Sequence, residues 1–251
     1  MLPNFFLPTQ VTAFICGCGH SGTTLLATIL SEHPHIFVPL VETEIFLKPD
    51  DQLAQKKIVD LQNEAVAARR PILVEKTPRH VLQIPRIRRL VPGARFILMV
   101  RDGRDVAASV AKRHGGDFEY GFRRWVDDNK KLHAELGKPD VMLLRYEDLV
   151  VAPELQLERV CKFLGVKFRP QMLNYHEKPH MWFGRKELRK TSGVGDEHND
   201  HRNWQVNQPI FDGRGRWKTD LPPQYVERFK TGTFARQFML EFGYDPVRPV
   251  L

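Results

Sequence analysis

The sequence lacks the features that place a protein in a membrane or send it out of the cytosol. Its apolar runs are short, as in Phe96–Val100, whereas a membrane helix needs roughly 20 apolar residues, so we expect no integral membrane span. The first residues, Met1–Asn4, have neither the basic start nor the apolar stretch of a signal peptide. We therefore predict a cytoplasmic protein.

Cysteine is also scarce, with Cys16, Cys18 and Cys161 as the whole set. Three thiols are too few for a disulfide framework, and an odd number suits a reducing compartment. Cys16 and Cys18 have neither a second pair nor a nearby histidine cluster, so the spacing does not favour zinc. We expect small buried thiols at the end of a strand.

Acidic residues are fewer than basic ones. The chain has 30 Asp and Glu and 38 Lys and Arg, which gives a formal net charge of +8. Such an excess favours anionic partners, which include nucleic acids, anionic lipids and nucleotides. The basic residues are dispersed, and no aromatic–basic motif for RNA or DNA is present. We therefore expect no nucleic acid partner, and keep a basic nucleic-acid-binding module as an alternative function.

Short apolar runs alternate with amphipathic stretches, which is the pattern of a parallel α/β sheet. The predicted strands are Val11–Cys16, Ile36–Val38, Pro71–Val74, Arg95–Val100 and Val141–Leu144. The predicted helices cover residues 21–32, 52–69, 102–113, 118–136, 154–164 and 222–242.

No internal repeat or low-complexity segment divides the chain. We expect a single domain over residues 1–251. Within it, residues 169–209 are polar and have no clear period, and a stretch of this length is usually functional or disordered. We expect it to form an irregular cap or a loop on the acceptor side.

A glycine-rich loop, Gly17–Thr24, follows the first strand and opens the first helix. Backbone amides and the helix dipole then point at one place, which favours an anion. The spacing matches a Walker A loop with Thr24 in the Ser/Thr place, but Thr23 replaces its lysine. Because that lysine bridges the terminal phosphates of ATP, nucleotide hydrolysis is disfavoured, although a 5′-phosphate still fits. A P-loop nucleotide kinase or NTPase remains an alternative.

A second motif begins with Arg101 at the carboxyl end of a predicted strand, where open α/β sheets bind ligands. It reads Arg-Asp-Gly-Arg-Asp over residues 101–105, and Ser109 follows about one helical turn later. A guanidinium fork and a hydroxyl together suit a second phosphate.

The two motifs, His20–Thr24 and Arg101–Ser109, resemble the nucleotide signatures of sulfotransferases that use 3′-phosphoadenosine 5′-phosphosulfate (PAPS). The resemblance implies a P-loop-like three-layer α/β/α sandwich with a central, mainly parallel sheet. It implies PAPS as sulfuryl donor, PAP as product and no metal. It also explains the missing lysine, because PAPS has no γ-phosphate. Further segments in the family's order are Glu75–Pro78, Arg145–Leu149, Phe163–Gly165 and Gly215–Lys218.

The resemblance also assigns catalytic roles. Carbohydrate-type and tyrosylprotein-type members have a glutamate base in the segment that holds Glu42, and Glu44 is the reserve candidate. His114 is the alternative if the base is a histidine. Lys76 is expected to contact the bridging oxygen or the sulfuryl group. His20 stands where the family usually has lysine or arginine, so it carries charge only if the bound anion favours the protonated imidazole.

A glutamate base favours a hydroxyl acceptor, which we expect to be a carbohydrate or another small molecule. Histidines in the late polar stretch have ligand chemistry but no metal-binding spacing, so we expect no metal. The resemblance assigns nucleotide binding to Gly19, His20, Ser21, Gly22, Thr23, Thr24, Arg101, Ser109, Tyr146, Arg214, Gly215 and Arg216.

Overall fold

A five-stranded parallel sheet forms the centre of the computed structural model, which describes residues 11–182, 188–191 and 198–247. The strand order is β2-β3-β1-β4-β5, and every paired strand runs parallel to its neighbour. The predicted parallel sheet is confirmed. The strands are β1 (Val11–Gly17), β2 (Ile36–Phe37), β3 (Ile72–Lys76), β4 (Arg95–Val100) and β5 (Val141–Arg145).

Helices connect the strands and cover the sheet. Within the described residues, 3₁₀ helices span Ile45–Leu47, Pro78–Gln83 and Pro170–Glu177. The α-helices are α1 (Thr23–Ser31), α2 (Asp51–Ala67), α3 (Ile84–Leu90), α4 (Gly103–Arg113), α5 (Phe118–His133), α6 (Tyr146–Val151), α7 (Pro153–Leu164), α8 (His198–Val206), α9 (Trp217–Asp220), α10 (Pro223–Thr231) and α11 (Thr233–Glu241).

Side chains of β1 alternate between two hydrophobic cores, as the period of a strand requires. Phe14 and Cys16 pack in a core with residues of α2, α4, α5 and α11. Ala13 and Ile15 pack on the opposite face, in a core with residues of α1 and α7. Two cores separated by one sheet give the predicted three-layer α/β/α sandwich.

The topology brings three strand ends to one edge of the sheet. Strand β1 lies between β3 and β4, with Ile15 paired to Lys76 and Gly17 paired to Met99. The chain leaves β1 towards β2 and β3, and later returns to the other side of β1 as β4. Such a change of direction opens a crevice at the carboxyl ends of the strands. The loops after β1, β3 and β4 therefore meet there.

Two predictions of secondary structure differ from the fold. The single helix predicted over residues 222–242 is wrong, because Gly232 adopts an extended backbone and separates α10 from α11. The stretch 169–209 contains the 3₁₀ helix Pro170–Glu177 and α8, which its lack of period did not indicate. Residues 183–187 and 192–197 of that stretch lie outside the described residues. Its role as an acceptor-side cap and the single-domain organisation remain predictions.

The compositional predictions concern buried thiols and membrane spans. All three cysteines are free and buried, which confirms the prediction of small buried thiols. In the part of the chain that the structure describes, no helix is both long enough and apolar enough to span a bilayer.

Candidate active site

The loop between β1 and α1 has the backbone of an anion cradle. His20 and Gly22 both lie in the left-handed region, with φ of 70° and 84°, so the chain turns sharply before α1 begins. A Cβ on Gly22 would lie 2.6 Å from a ring carbon of Tyr146, so only glycine fits at this position. The Ser21 hydroxyl is buried and has no hydrogen-bond partner within the described residues. Free first-turn amides and an unpaired buried hydroxyl suit a phosphate group.

The second motif closes on this loop as the sequence predicted. The Arg101 guanidinium donates to the carbonyl oxygens of His20, at 3.2 Å, and Gly213, at 2.6 Å. It also lies 4.3 Å from the centroid of the Tyr146 ring. The Ser109 hydroxyl and Nδ1 of His20 are hydrogen-bonded at 2.7 Å. The structure therefore brings together four predicted site residues from separate elements.

An ion-pair cluster stands beside the cradle. Lys76 Nζ donates to Glu42 Oε1 at 2.7 Å, and an Arg202 nitrogen lies 3.7 Å from the same oxygen. Arg202 also donates to the Thr24 hydroxyl at 2.9 Å. The Lys76 side chain is fully buried, with its ammonium 4.3 Å from the Trp182 ring centroid. The cluster connects the end of β3 to the start of α1.

Burial and pairing shift the ionisation of this cluster. Burial raises the pKa of Glu42, but the charges of Lys76 and Arg202 outweigh it and hold that pKa below its ordinary value. Burial lowers the pKa of Lys76 to about 8, although Glu42 opposes the shift. Glu42 is thus ionised at neutral pH, with two cations sharing its charge.

The segment after Gly213 is attached to the second motif through Asp105. The Asp105 carboxylate accepts from the backbone amides of Gly215 and Trp217, both at 2.9 Å. Arg216 lines the same cavity as the cradle. Arg214 instead pairs with Asp212 and is not among the residues that line the cavity.

The reserve candidates for the base stand apart from the cavity. Glu44 is exposed, and its backbone, with φ of 51°, precedes the first 3₁₀ helix. His114 is an exposed residue at the end of α4, beside the Tyr120 ring. The geometry therefore favours Glu42.

Among residues 11–182, 188–191 and 198–247, no group of His, Cys, Asp and Glu has metal-site geometry.

Arg202 and three further basic residues of the site were missed by sequence reasoning. Lys112 and Arg113 follow Ser109 by three and four positions, so they share its face of α4, and that spacing was a usable signal. Arg124 on α5 and Arg202 on α8 gave no comparable signal, because neither follows a strand end. All four line the cavity.

The cavity as a whole is strongly cationic. Glu42 supplies the one carboxylate among the described residues that line it. Opposing this carboxylate are six Lys and Arg side chains, namely Arg101, Lys112, Arg113, Arg124, Arg202 and Arg216. Such a surface is complementary to a ligand with several negative charges.

Comparison with known proteins gives the family. A model described as "Sulfotransferase family" matches residues 46–170, and one described as "Sulfotransferase domain" matches residues 118–234. The chain belongs to the sulfotransferase family. The enzyme is a PAPS-dependent sulfotransferase, with PAPS as donor and PAP as product.

Relatives and a solved structure agree with this placement. A putative protein-tyrosine sulfotransferase of Caenorhabditis briggsae is 29% identical over 208 residues, covering 70% of this chain and 72% of the relative. The protein-tyrosine sulfotransferase of Drosophila melanogaster is 25% identical over 268 residues, covering 93% of this chain and 51% of the relative. The sulfotransferase domain from the curacin biosynthetic pathway has the same fold, with a TM-score of 0.67 at 18% identity over 94% of this chain and 98% of that domain.

The residues of the sulfotransferase fit a nucleotide with two phosphate positions. The cradle of α1 suits the 5′ side, and Arg101 with Ser109 suits the second phosphate. The cavity also has an apolar wall that suits a purine ring, formed by Leu25, Tyr175, Val206, Pro209, Ile210 and Phe211. Binding at each predicted residue remains a prediction.

Proposed function

We propose that this sulfotransferase transfers the sulfuryl group of PAPS to the hydroxyl of a tyrosine in a peptide or protein, with Glu42 as general base. The observation that carries the proposal is the position of Glu42, an ionised carboxylate on the wall of a cationic cavity, beside the phosphate cradle. The names of the two relatives described above support a tyrosine acceptor.

The ionisation of Glu42 also favours tyrosine over the carbohydrate that the sequence led us to expect. A carboxylate whose pKa is held below its ordinary value is a weak base. A phenol, with a pKa near 10, loses its proton far more readily than the aliphatic hydroxyl of a sugar. A weak base therefore matches a phenolic acceptor better.

The contacts of Glu42 give its two carboxylate oxygens different roles. Lys76 and Arg202 both approach Oε1, so Oε2 is the oxygen that takes the acceptor proton. As Glu42 takes that proton, the acceptor oxygen bonds to sulfur. The bond between sulfur and the bridging oxygen breaks, and its electron pair stays on the 5′-phosphate of PAP.

Stabilisation of the transferred charge falls to the groups around the cradle. Arg202 lines the cavity next to Thr24, at the start of α1. Its guanidinium and the first amides of α1 face the region where negative charge develops on sulfuryl and phosphate oxygens. Preorganised donors of this kind are usually the largest contribution to catalysis of group transfer.

Acceptor competition tests the proposal. Sulfuryl transfer from labelled PAPS is measured with a tyrosyl peptide, the same peptide with phenylalanine in place of tyrosine, and a disaccharide. We expect product with the tyrosyl peptide alone. Sulfated disaccharide without sulfated peptide would overturn the tyrosine acceptor.

The base is tested separately with Glu42→Gln, which keeps the shape and removes the basic carboxylate. We expect kcat to fall by about 10²–10⁴-fold, with little change in PAP affinity. Glu44→Gln is the matched control, because Glu44 is exposed and away from the cavity wall, and its kcat should match that of the unmodified enzyme. A Glu42→Gln variant of undiminished kcat would rule out Glu42 as the base.

A further inference from the structure

A buried polar cluster of Glu75, Thr77 and His80 lies behind the base. Glu75 is next to Lys76 in β3, and successive side chains of a strand point to opposite faces of the sheet. Lys76 therefore meets Glu42 and Trp182 on one face. Glu75 enters the other face, where it is fully buried.

Both carboxylate oxygens of Glu75 accept hydrogen bonds. Its Oε1 accepts from the hydroxyls of Thr43, at 2.7 Å, and Thr77, at 2.6 Å, and from the Thr43 amide at 3.4 Å. Its Oε2 is hydrogen-bonded to Nδ1 of His80 at 2.8 Å. Burial raises the pKa of Glu75, but these partners outweigh it and the pKa lies below its ordinary value.

The surrounding contacts fix the tautomer of His80. The Phe46 amide donates to Nε2 of His80 at 3.2 Å, so Nε2 carries no proton. Nδ1 then carries the proton and donates it to Glu75. The ring is packed between Phe14 and Phe46, with centroids at 6.2 Å and 5.4 Å.

The cluster holds the backbone that follows Glu42. Thr43 is bonded to Glu75, the Glu44 amide donates to the Thr77 hydroxyl at 3.2 Å, and Phe46 is bonded to His80. Glu44 has φ of 51°, a left-handed conformation that is unfavourable for a residue with a side chain. Such a conformation persists when surrounding bonds enforce it.

We propose that Glu75, Thr77 and His80 are positioning residues that hold the Thr43–Phe46 backbone and so keep Glu42 aimed into the cavity. The inference rests on the proposed function of Glu42 as the base. It adds that the geometry of the base is set from the opposite face of the sheet, by residues that contact neither substrate. Lys76 orients the carboxylate, while the cluster orients the chain that carries it.

The test uses Thr43, whose half-buried side chain can be changed without opening the core. Thr43→Val removes the hydroxyl and keeps the shape, whereas Thr43→Ser keeps the hydroxyl. We expect Thr43→Val to lower kcat by about ten- to a hundredfold, since small misplacement of a catalytic group has effects of this size. PAP affinity should change by less than about twofold, and Thr43→Ser should restore kcat to within about threefold. Thr231→Val, on the exposed face of α10, is the matched control.

Several results would overturn the inference. They are a Thr43→Val variant with undiminished kcat, an equal fall in kcat and PAP affinity, or no recovery in Thr43→Ser. Glu75→Gln provides a second arm. Its amide keeps one acceptor oxygen, which can face either the Nδ1 proton of His80 or the threonine hydroxyls but not both. It should show the same fall in kcat at constant PAP affinity. Loss of activity in Glu42→Gln with full activity in Thr43→Val refutes this inference alone. Full activity in Glu42→Gln refutes the proposed base as well.

Discussion

Lys76 should make the folding stability of the enzyme depend on pH in a way that one substitution removes. The ammonium is fully buried and paired with Glu42, and burial lowers its pKa to about 8. The unfolded chain has lysine at its ordinary pKa of about 10.4. Lys76→Met keeps the length and apolar stem of the side chain and removes the titrating group.

The sign and size of this pH dependence of folding stability follow from proton linkage. Between about pH 8 and 10.4 the unfolded chain binds the Lys76 proton and the folded chain does not, so stability rises with pH across this window. The full difference in pKa corresponds to about 3 kcal/mol at about 1.4 kcal/mol per unit. About 2 kcal/mol of it is gained between roughly pH 7 and 9.5. Below pH 8 both states hold the proton, and the folded state keeps the full cost of the buried charge.

The assay is urea denaturation of both proteins at several pH values. The free energy of unfolding of the unmodified enzyme minus that of Lys76→Met should rise by about 2 kcal/mol from roughly pH 7 to 9.5. Taking the difference cancels the other lysines and tyrosines that titrate in this range. A difference that stays flat across this range would refute the depressed pKa of Lys76.

Two further substitutions test the charge and the backbone of the site. Arg202→Gln should lower kcat by about 10²–10³-fold while the affinity for PAP, which lacks the sulfuryl group, falls much less. Parallel losses in steady-state kinetics and PAP calorimetry would contradict this role. Gly22→Ala should destabilise the fold by more than Gly93→Ala, measured by urea denaturation. Both glycines have positive φ, which costs alanine about 1–2 kcal/mol, but only the added Cβ at Gly22 would meet Tyr146, whereas Gly93 has open space. Equal losses would argue against close packing at the cradle.

The sequence was sufficient to predict the sheet and the two nucleotide motifs. The strands are short apolar runs, and each motif directly follows one, so parallel packing alone brings His20, Arg101 and Ser109 to one edge. Glu42 was also predicted, through a resemblance of its segment to other sulfotransferases. The cytoplasmic location stays a prediction.

The positions of Arg202 and of the buried Lys76 ammonium depend on contacts that leave no local pattern. Helix α8 carries Arg202 and has only a weak apolar face. Polar hydrogen bonds hold the helix against its neighbours instead. One of these joins the buried Asn203 to the Trp182 amide at 3.0 Å, and Asn207 pairs with the backbone of His180. The helix therefore lacked the apolar period that would have predicted it. Lys76 is expected to contact the bridging oxygen or the sulfuryl group, and that contact stays a prediction. In the structure β3 extends through Lys76, and its ammonium is buried between Glu42 and Trp182.

Thermal denaturation with PAP, compared with ATP and Mg²⁺, tests whether the cavity binds the donor nucleotide of a sulfotransferase. A ligand at 100 times its Kd adds about 2.7 kcal/mol, which corresponds to roughly 5–10 °C for a domain of this size. We expect a rise of this order with PAP. The rise should be lost in Arg101→Ala, because the Arg101 guanidinium contacts His20, Gly213 and Tyr146. A magnesium-dependent rise with ATP and none with PAP would contradict a PAPS-dependent sulfotransferase and favour a nucleotide kinase.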